Sequence, residues 1–327
     1  MGNRTASTRK SAAPNGAARG LLSITDLGRD EIEDICTSAA SFEEIGEREI
    51  KKVPTLRGRT VVNLFYENST RTRVSFELAA KRLSADVINV SADASSVKKG
   101  ESLRDTARTL LAMGADAIVL RHPAAGAPAL LSRWIDASVI NAGDGAHEHP
   151  TQALLDIYTA RKHLGSLDGV RIAFVGDIEH SRVARSGALG FSRMGADVVL
   201  IAPPTMIPLG VDALGGAVSY DLDAELPKLD IVYLLRLQRE RHAAADRIPS
   251  EREFVDGWGL TRERAARLRD GALVMHAGPM NRGIELDWDV AELPVALIED
   301  QVTAGVAVRM ALLYTLLGSA QLAEVPA

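Results

Sequence analysis

The residues best suited to chemistry form one run, Phe65-Tyr66-Glu67-Asn68-Ser69-Thr70-Arg71-Thr72-Arg73-Val74-Ser75-Phe76-Glu77. It follows a β-branched stretch and opens a helical pattern, with Asn68 or Ser69 placed to cap the helix. Arg71 and Arg73 then fall in the first helical turn, where the dipole disfavours a cation by about 0.3–1 kcal/mol each. A bound anion reverses that penalty. Backbone N–H groups, the hydroxyls of Ser69, Thr70 and Thr72, and the Arg71 guanidinium together make a phosphate cradle. The same residues also suit a capped surface helix with solvated arginines, and composition alone does not separate the two.

Other charged or polar groups stand at similar places. Residues 94–102 (ASSVKKGES) form a polar loop whose Ser95, Lys98 and Lys99 suit closure over an anion, or simple solvation. Arg121-His122-Pro123 follows another apolar run. Residues 141–152 (NAGDGAHEHPTQ) end on a helix start, since Pro150 suits the first helical turn. His149 beside the positive end of that helix is expected neutral, able to polarise a carbonyl without carrying a proton. His147 and His149 also invite a metal-site reading, but no third ligand has a recognisable spacing. Arg182 opens a helix, and Arg236, with Gln238 near it, follows a strand. Two guanidinium groups converging on one cleft could hold a dicarboxylate by paired hydrogen bonds, while either alone is an ordinary surface arginine. In His276-Ala277-Gly278-Pro279, Gly278 permits close backbone approach and Pro279 a cis bond.

The elements that must position these groups are short apolar runs alternating with helical spacing. Strands are expected at 60–65, 87–90, 117–120, 139–141, 171–175, 197–201, 231–235 and 272–275. Helices are expected at 73–83, 103–113, 151–163 and 182–194, with a last one from about 303. This alternation predicts an α/β fold of two doubly wound parallel-sheet domains joined by interdomain helices. The Gly- and Asp-rich residues 163–170 mark the boundary turn. The expected division is a tail over 1–20, a first domain over 21–150 and a second over 151–302, with the C-terminal helix, about 303–327, packing back onto the first. Ligands in such sheets sit beyond the carboxyl ends of the strands.

Composition narrows the class. The 327 residues are 46% hydrophobic and 25% charged, enough for two packed cores. A net charge of -5 argues against a general nucleic-acid binder. Arg309 near the centre of the apolar segment 302–317 points to a buried helix rather than a membrane span. Cys36 is the only cysteine, so neither an intrachain disulfide nor a thiolate zinc cluster can form, and a reducing cytoplasm suits the chain. The small, polar and basic tail lacks the apolar core of a secretory signal. With no G-x-G-x-x-G, a nicotinamide dehydrogenase is not supported.

FYENSTRTRVSFE resembles the carbamoyl phosphate signature of the aspartate/ornithine carbamoyltransferase family, and RHP and HPTQ follow in the family order. KKGESLRDT, the Arg182 turn and RLQRER resemble the aspartate branch. Where the ornithine branch has a His-Cys-Leu-Pro run this chain has HAGP, and the Ser-Met-Gly run has no counterpart. The resemblance implies transfer of the carbamoyl group of carbamoyl phosphate to L-aspartate, an early step of pyrimidine biosynthesis, with no metal and no organic cofactor. It implies that Ser69, Thr70, Arg71 and Thr72 hold phosphate, and that Arg121, His149 and Thr72 face the carbamoyl oxygen. Gln152, Ala277, Gly278 and Pro279 then surround the carbamoyl amide, and Arg182, Arg236 and Gln238 bind aspartate. Ser95 and Lys99 match residues that reach a neighbouring subunit's site, which implies a homotrimer; regulatory or dihydroorotase chains are left open as further partners. An ornithine-using enzyme and a catalytically silent assembly partner are the alternatives. Arg182, Arg236 and Gln238 oppose the first; Arg71, Lys99, Arg121 and His149 oppose the second.

Overall fold

The computed structural model describes residues 20–91, 100–238 and 249–318. The strands β1 (Thr60–Phe65), β2 (Asp86–Ser91), β3 (Ala117–His122) and β4 (Ser138–Asp144) pair in the order β2-β1-β3-β4. A second sheet contains β5 (Arg171–Val175), β6 (Asp197–Ile201), β7 (Ala217–Ser219), β8 (Ile231–Leu234) and β9 (Leu273–His276), in the order β7-β6-β5-β8-β9. Every pairing in both sheets is parallel. The α/β class and the two parallel sheets are therefore as the sequence predicts. The central strands read as near-continuous apolar runs because both faces are covered; Val61 to Phe65 and Ile172 to Val175 are all buried, with Asn63 the one polar residue among them, donating to Asn89 at 2.9 Å.

Register places the strand ends. Phe65 lies level with Arg121 across β1 and β3, so the turn after β1 opens beside the Arg121 side chain. Val175 lies level with Leu234 across β5 and β8, so the turns leading to Arg182 and Arg236 leave from neighbouring strand ends. Each sheet reverses its strand order at these two pairs, which is where open α/β sheets place ligands.

The helices are α1 (Arg29–Glu47), α2 (Thr70–Arg82), α3 (Leu103–Ala112), α4 (Ala127–Ser132), α5 (Pro150–Leu164), α6 (Arg182–Arg193), α7 (Leu222–Glu225), α8 (Glu251–Trp258), α9 (Arg262–Ala265) and α10 (Ile298–Leu317). In α5 every residue from Pro150 to Ala160 is buried. A helix covered all round belongs between layers, and α5 lies against both α6 and α10. The close fit of α6 on the second sheet depends on Gly187, where a Cβ would stand 2.5 Å from the Phe174 ring. The last helix, α10, begins at Ile298 rather than near 303 and packs on α1, α2 and α5. Arg309 is buried within it, stacking over Phe76 at 5.1 Å and donating to the Gly305 carbonyl at 3.0 Å. No helix among the described residues is long and apolar enough to cross a membrane.

Two boundaries differ from expectation in a way that matters. β3 runs on through Arg121 to His122, and β4 runs on past Asn141 to Asp144, so Arg121, His122 and Asp144 belong to strands rather than to the turns after them. The His122–Asp144 pairing, reached after an irregularity between Leu120 and His122, extends both strands past their apolar cores.

Candidate active site

Ser69 is the residue that caps α2; its hydroxyl accepts the Thr72 N–H at 3.3 Å. That leaves the turn of Ser69, Thr70 and Arg71 facing a cleft of about 760 Å³ between the two sheets. Thr72 is buried on the inner side of α2, its hydroxyl 3.5 Å from His149 Nε2. His149 itself occupies the cap position of α5 without capping a backbone N–H, and its Nδ1 lies 3.4 Å from Thr151 Oγ1 in the first turn. Its backbone N–H donates to Ser186 Oγ at 2.8 Å, and that hydroxyl donates to Glu148 at 3.0 Å. Burial pushes His149 well below the ordinary histidine range, and the nearby Arg121, Arg182 and Arg309 add to the effect. The imidazole is neutral, as the helix-end argument expected, although burial is the largest cause.

Glu67 organises the arginines at the mouth of β1. It accepts from Arg182 Nη2 at 2.8 Å and lies 3.4 Å from Arg121 Nε. Arg182 also donates to the Gly145 carbonyl at 3.1 Å, and it is almost fully buried. Gly143, with φ +113°, makes room for it, since a Cβ there would stand 3.1 Å from Arg182 Nε. Arg121 Nη1 donates to the Ala142 carbonyl at 3.3 Å.

From the second sheet, Arg236 Nη1 donates to Gln238 Oε1 at 3.4 Å. The backbone beneath them is fixed by two buried carboxylates: Leu237 N donates to Glu285 at 2.8 Å and Gln238 N to Asp177 at 3.2 Å. Glu285 also accepts from Asn281 N at 2.6 Å, which ties the Arg236 loop to the loop after β9. In that second loop the Gly278–Pro279 peptide is cis, and Gly278 has φ +65°. Gly278 N donates to His276 Nδ1 at 2.7 Å, so the neutral ring carries its proton on Nε2. Burial, reinforced by Arg71 and Arg236, pushes His276 down to about 3.

Ser69, Thr70, Arg71, Thr72, Arg121, His149, Gln152, Arg182, Arg236, Gln238, Ala277, Gly278 and Pro279 all line this one cleft. Ser95 and Lys99, with Lys98, lie outside the described residues. His147 does not line the cleft; it pairs with Asp144 at 3.1 Å. Among the described residues no group of three or more His, Cys, Asp or Glu side chains could hold a metal ion. Sequence reasoning missed Glu67, His276, Gln301 and Arg309, which also face the cleft. Glu67 and His276 sit inside runs already singled out, and an arginine in an apolar helix was a visible signal for Arg309. Gln301 had none.

The lining carries five arginines against one carboxylate, in a chain whose net charge is -5. Such a cleft concentrates anions from both lobes at once.

Comparison with known proteins agrees over nearly the whole length. The model of the aspartate/ornithine carbamoyltransferase carbamoyl-P binding domain matches residues 19–162, and that of the Asp/Orn binding domain matches residues 168–316. The aspartate carbamoyltransferase catalytic subunit of Acidothermus cellulolyticus is 59% identical over 303 residues, covering 93% of this chain and 94% of that protein. Aspartate transcarbamoylase of Trypanosoma cruzi, solved with carbamoyl phosphate and aspartate, has a TM-score of 0.82 at 32% identity, over 92% of this chain and 98% of that one. The catalytic subunit of the M. jannaschii enzyme has a TM-score of 0.79 at 36% identity, over 94% and 100%.

Proposed function

The chain belongs to the aspartate/ornithine carbamoyltransferase family, and we propose how its residues divide the work of that chemistry. The enzyme transfers the carbamoyl group of carbamoyl phosphate to the amino group of L-aspartate, releasing N-carbamoyl-L-aspartate and phosphate. Ser69, Thr70, Arg71 and Thr72 hold the phosphoryl group at the start of α2. Arg121, Thr72 and His149 surround the carbamoyl oxygen. Gln152 and the carbonyl groups of Ala277 and Gly278, beside Pro279, accept from the carbamoyl amide. Arg182, Arg236 and Gln238 take the two carboxylates of aspartate. Residues 21–150 with the returning C-terminal helix make the carbamoyl phosphate lobe, and 151–302 the aspartate lobe.

The convergence of Arg71, Arg121, Arg182 and Arg236 from both sheets on one cleft carries this reading. The neutral amine of aspartate attacks the carbonyl carbon, and charge grows on the carbonyl oxygen, where fixed donors stabilise it as an oxyanion hole does. Phosphate departs with its charge held by Arg71 and the α2 N-terminus, and accepts the proton shed by the new nitrogen; Lys99 is a candidate to assist. A neutral His149 donates a hydrogen bond without competing for that proton. Holding two mutually repelling anions side by side supplies much of the acceleration.

Ser95 and Lys99 enter the site of a neighbouring subunit in a homotrimer. Exposed Val74 and Leu78 on α2 and Ile88 on β2 support this, because they leave that edge of the first lobe apolar. The single buried thiol, Cys36, suits a cytoplasmic enzyme of pyrimidine synthesis. Steady-state kinetics of Arg236→Ala test the division of labour. Losing a charge-assisted pair costs about 1.5–3 kcal/mol, roughly a 10–150-fold rise in the aspartate KM. The carbamoyl phosphate KM is expected to change less than about three-fold; a rise confined to carbamoyl phosphate would overturn the assignment.

A further inference from the structure

Asp156 lies one turn after Gln152 on α5 and is fully buried, yet its three hydrogen-bonding partners are all uncharged. Gln152 Nε2 donates to Oδ1 at 2.9 Å, Gln301 Nε2 donates to the same oxygen at 2.7 Å, and Tyr233 Oη donates to Oδ2 at 2.8 Å. An ionised carboxylate only accepts. Both glutamines must therefore turn their NH2 groups towards it. For Gln301 this orientation is required a second time, because its Oε1 accepts the His276 N–H at 2.9 Å. Gln152 has no such second constraint. With the NH2 end of its amide turned to Asp156, the oxygen end is the one that faces the cleft it lines.

The carbamoyl amide of the donor substrate presents two N–H groups and, with its lone pair delocalised, no useful acceptor. A pocket that selects it must be lined by acceptors alone. Gln152 released from Asp156 could rotate its amide and point NH2 at the substrate NH2, turning attraction into repulsion. The same carboxylate, through Tyr233 on β8 and through Gln301 to the His276 N–H, also anchors the strand ends that lead to Arg236 and to Ala277 and Gly278.

We propose that Asp156 is the positioning residue that keeps the carbamoyl end of the cleft an acceptor-only pocket, and so sets the preference for a carbamoyl NH2 over the isosteric methyl of an acetyl group. The inference rests on the reading above that Gln152 faces the carbamoyl amide. Asp156 touches no substrate atom; it acts through Gln152.

The test compares carbamoyl phosphate with acetyl phosphate, which differ by NH2 against CH3, in the wild type, Asp156→Leu, Gln152→Met and the double variant, with Asp156→Asn as the conservative control. The carbamoyl phosphate KM and the acetyl phosphate Ki are measured at about pH 8, where the Asp156 carboxyl, pushed up to about 7 by burial, is mostly ionised. Leucine offers neither glutamine an acceptor, so Gln152 is released. Asparagine can keep its oxygen at the Oδ1 position that both glutamines share and turn its NH2 to Tyr233 Oη, so Gln152 stays held. The expected result for Asp156→Leu is a rise of about ten-fold or more in the carbamoyl phosphate KM, with the acetyl phosphate Ki within about two-fold of wild type, and Asp156→Asn stays near wild type in both. In the Gln152→Met background, Asp156→Leu should shift the ratio no further.

A merely structural role would weaken both ligands together, and that result, or additive effects in the double variant, overturns the proposal. If Gln152→Met leaves the ratio unchanged, the Gln152 reading itself fails. If Gln152→Met shifts the ratio while Asp156→Leu does not, only the Asp156 inference fails. Should Asp156→Leu not fold, Asp156→Val, which likewise offers no acceptor, is read by the same criteria.

Discussion

Replacing Gly278 with alanine asks whether the loop after β9 helps to hold Arg71 at the phosphate end of the cleft. Gly278 has φ +65°, a conformation that costs an L-residue about 1–2 kcal/mol. A Cβ placed there would stand 2.8 Å from Arg71 Cζ and 3.1 Å from both Nε and Nη2. Either the guanidinium or the loop must then give way by several tenths of an ångström, enough to lose one charge-assisted hydrogen bond to phosphate. At about 1.5–3 kcal/mol for such a bond, the carbamoyl phosphate KM should rise roughly 10–150-fold. Gly271 provides the control: it has φ +79°, but a Cβ there would meet no heavy atom within 4 Å. Gly271→Ala therefore imposes similar backbone strain with no close contact. Both variants should lose about 1–2 kcal/mol in denaturant unfolding, and only Gly278→Ala should lose carbamoyl phosphate affinity in initial-rate kinetics. Equal KM values for the two variants, or an effect of Gly278→Ala confined to aspartate, would refute the reasoning.

The histidines give two further expectations. Because burial and three arginines hold His149 neutral, its ring resonances in heteronuclear NMR should not titrate around pH 6.5; a midpoint near that value would contradict its role as a neutral donor. His149 and His276 are both neutral when folded, so each takes up a proton on unfolding below about pH 6.5, and their contribution to stability is lost as pH falls. Asp156 works in the opposite sense: its folded value is raised to about 7, so its contribution is lost as pH rises through that value. His276→Asn should flatten the dependence of unfolding free energy on pH, between about pH 6 and 4, by roughly 1.4 kcal/mol per unit. Parallel slopes for variant and wild type in guanidinium melts would show that His276 is protonated in the folded state.

Local pattern is enough wherever one element decides its own fate. β1, β5 and β6 have the bounds that their β-branched runs predict, because fully covered parallel strands are apolar over most of their length and stop at turn residues. The apolar stripe of α1, running through Ile32, Ile35, Cys36, Ala39 and Phe42, has equally clear helical spacing, but no chemistry-bearing residue draws the eye to it. β3 and β4 extend beyond their apolar runs because cross-strand pairing, not residue type, carries them on to His122 and Asp144. The cleft residues follow from motif runs at strand ends, and the register of β1 with β3 and of β5 with β8 explains why those runs meet. What local sequence cannot contain are the long-range partners. Gln301 meets Asp156 across 145 positions of chain, and Glu67 meets Arg182 across 115. The cause of His149 neutrality belongs to the same class, since the burial and the arginines responsible are assembled only by the fold.

The most direct test of the central claim is product formation by the purified chain from carbamoyl phosphate, with L-aspartate and L-ornithine supplied in parallel reactions and the products resolved by mass. N-carbamoyl-L-aspartate from the first reaction, and no citrulline from the second, is the predicted result. Citrulline formation, or no carbamoylated product from either amino acid, would contradict it.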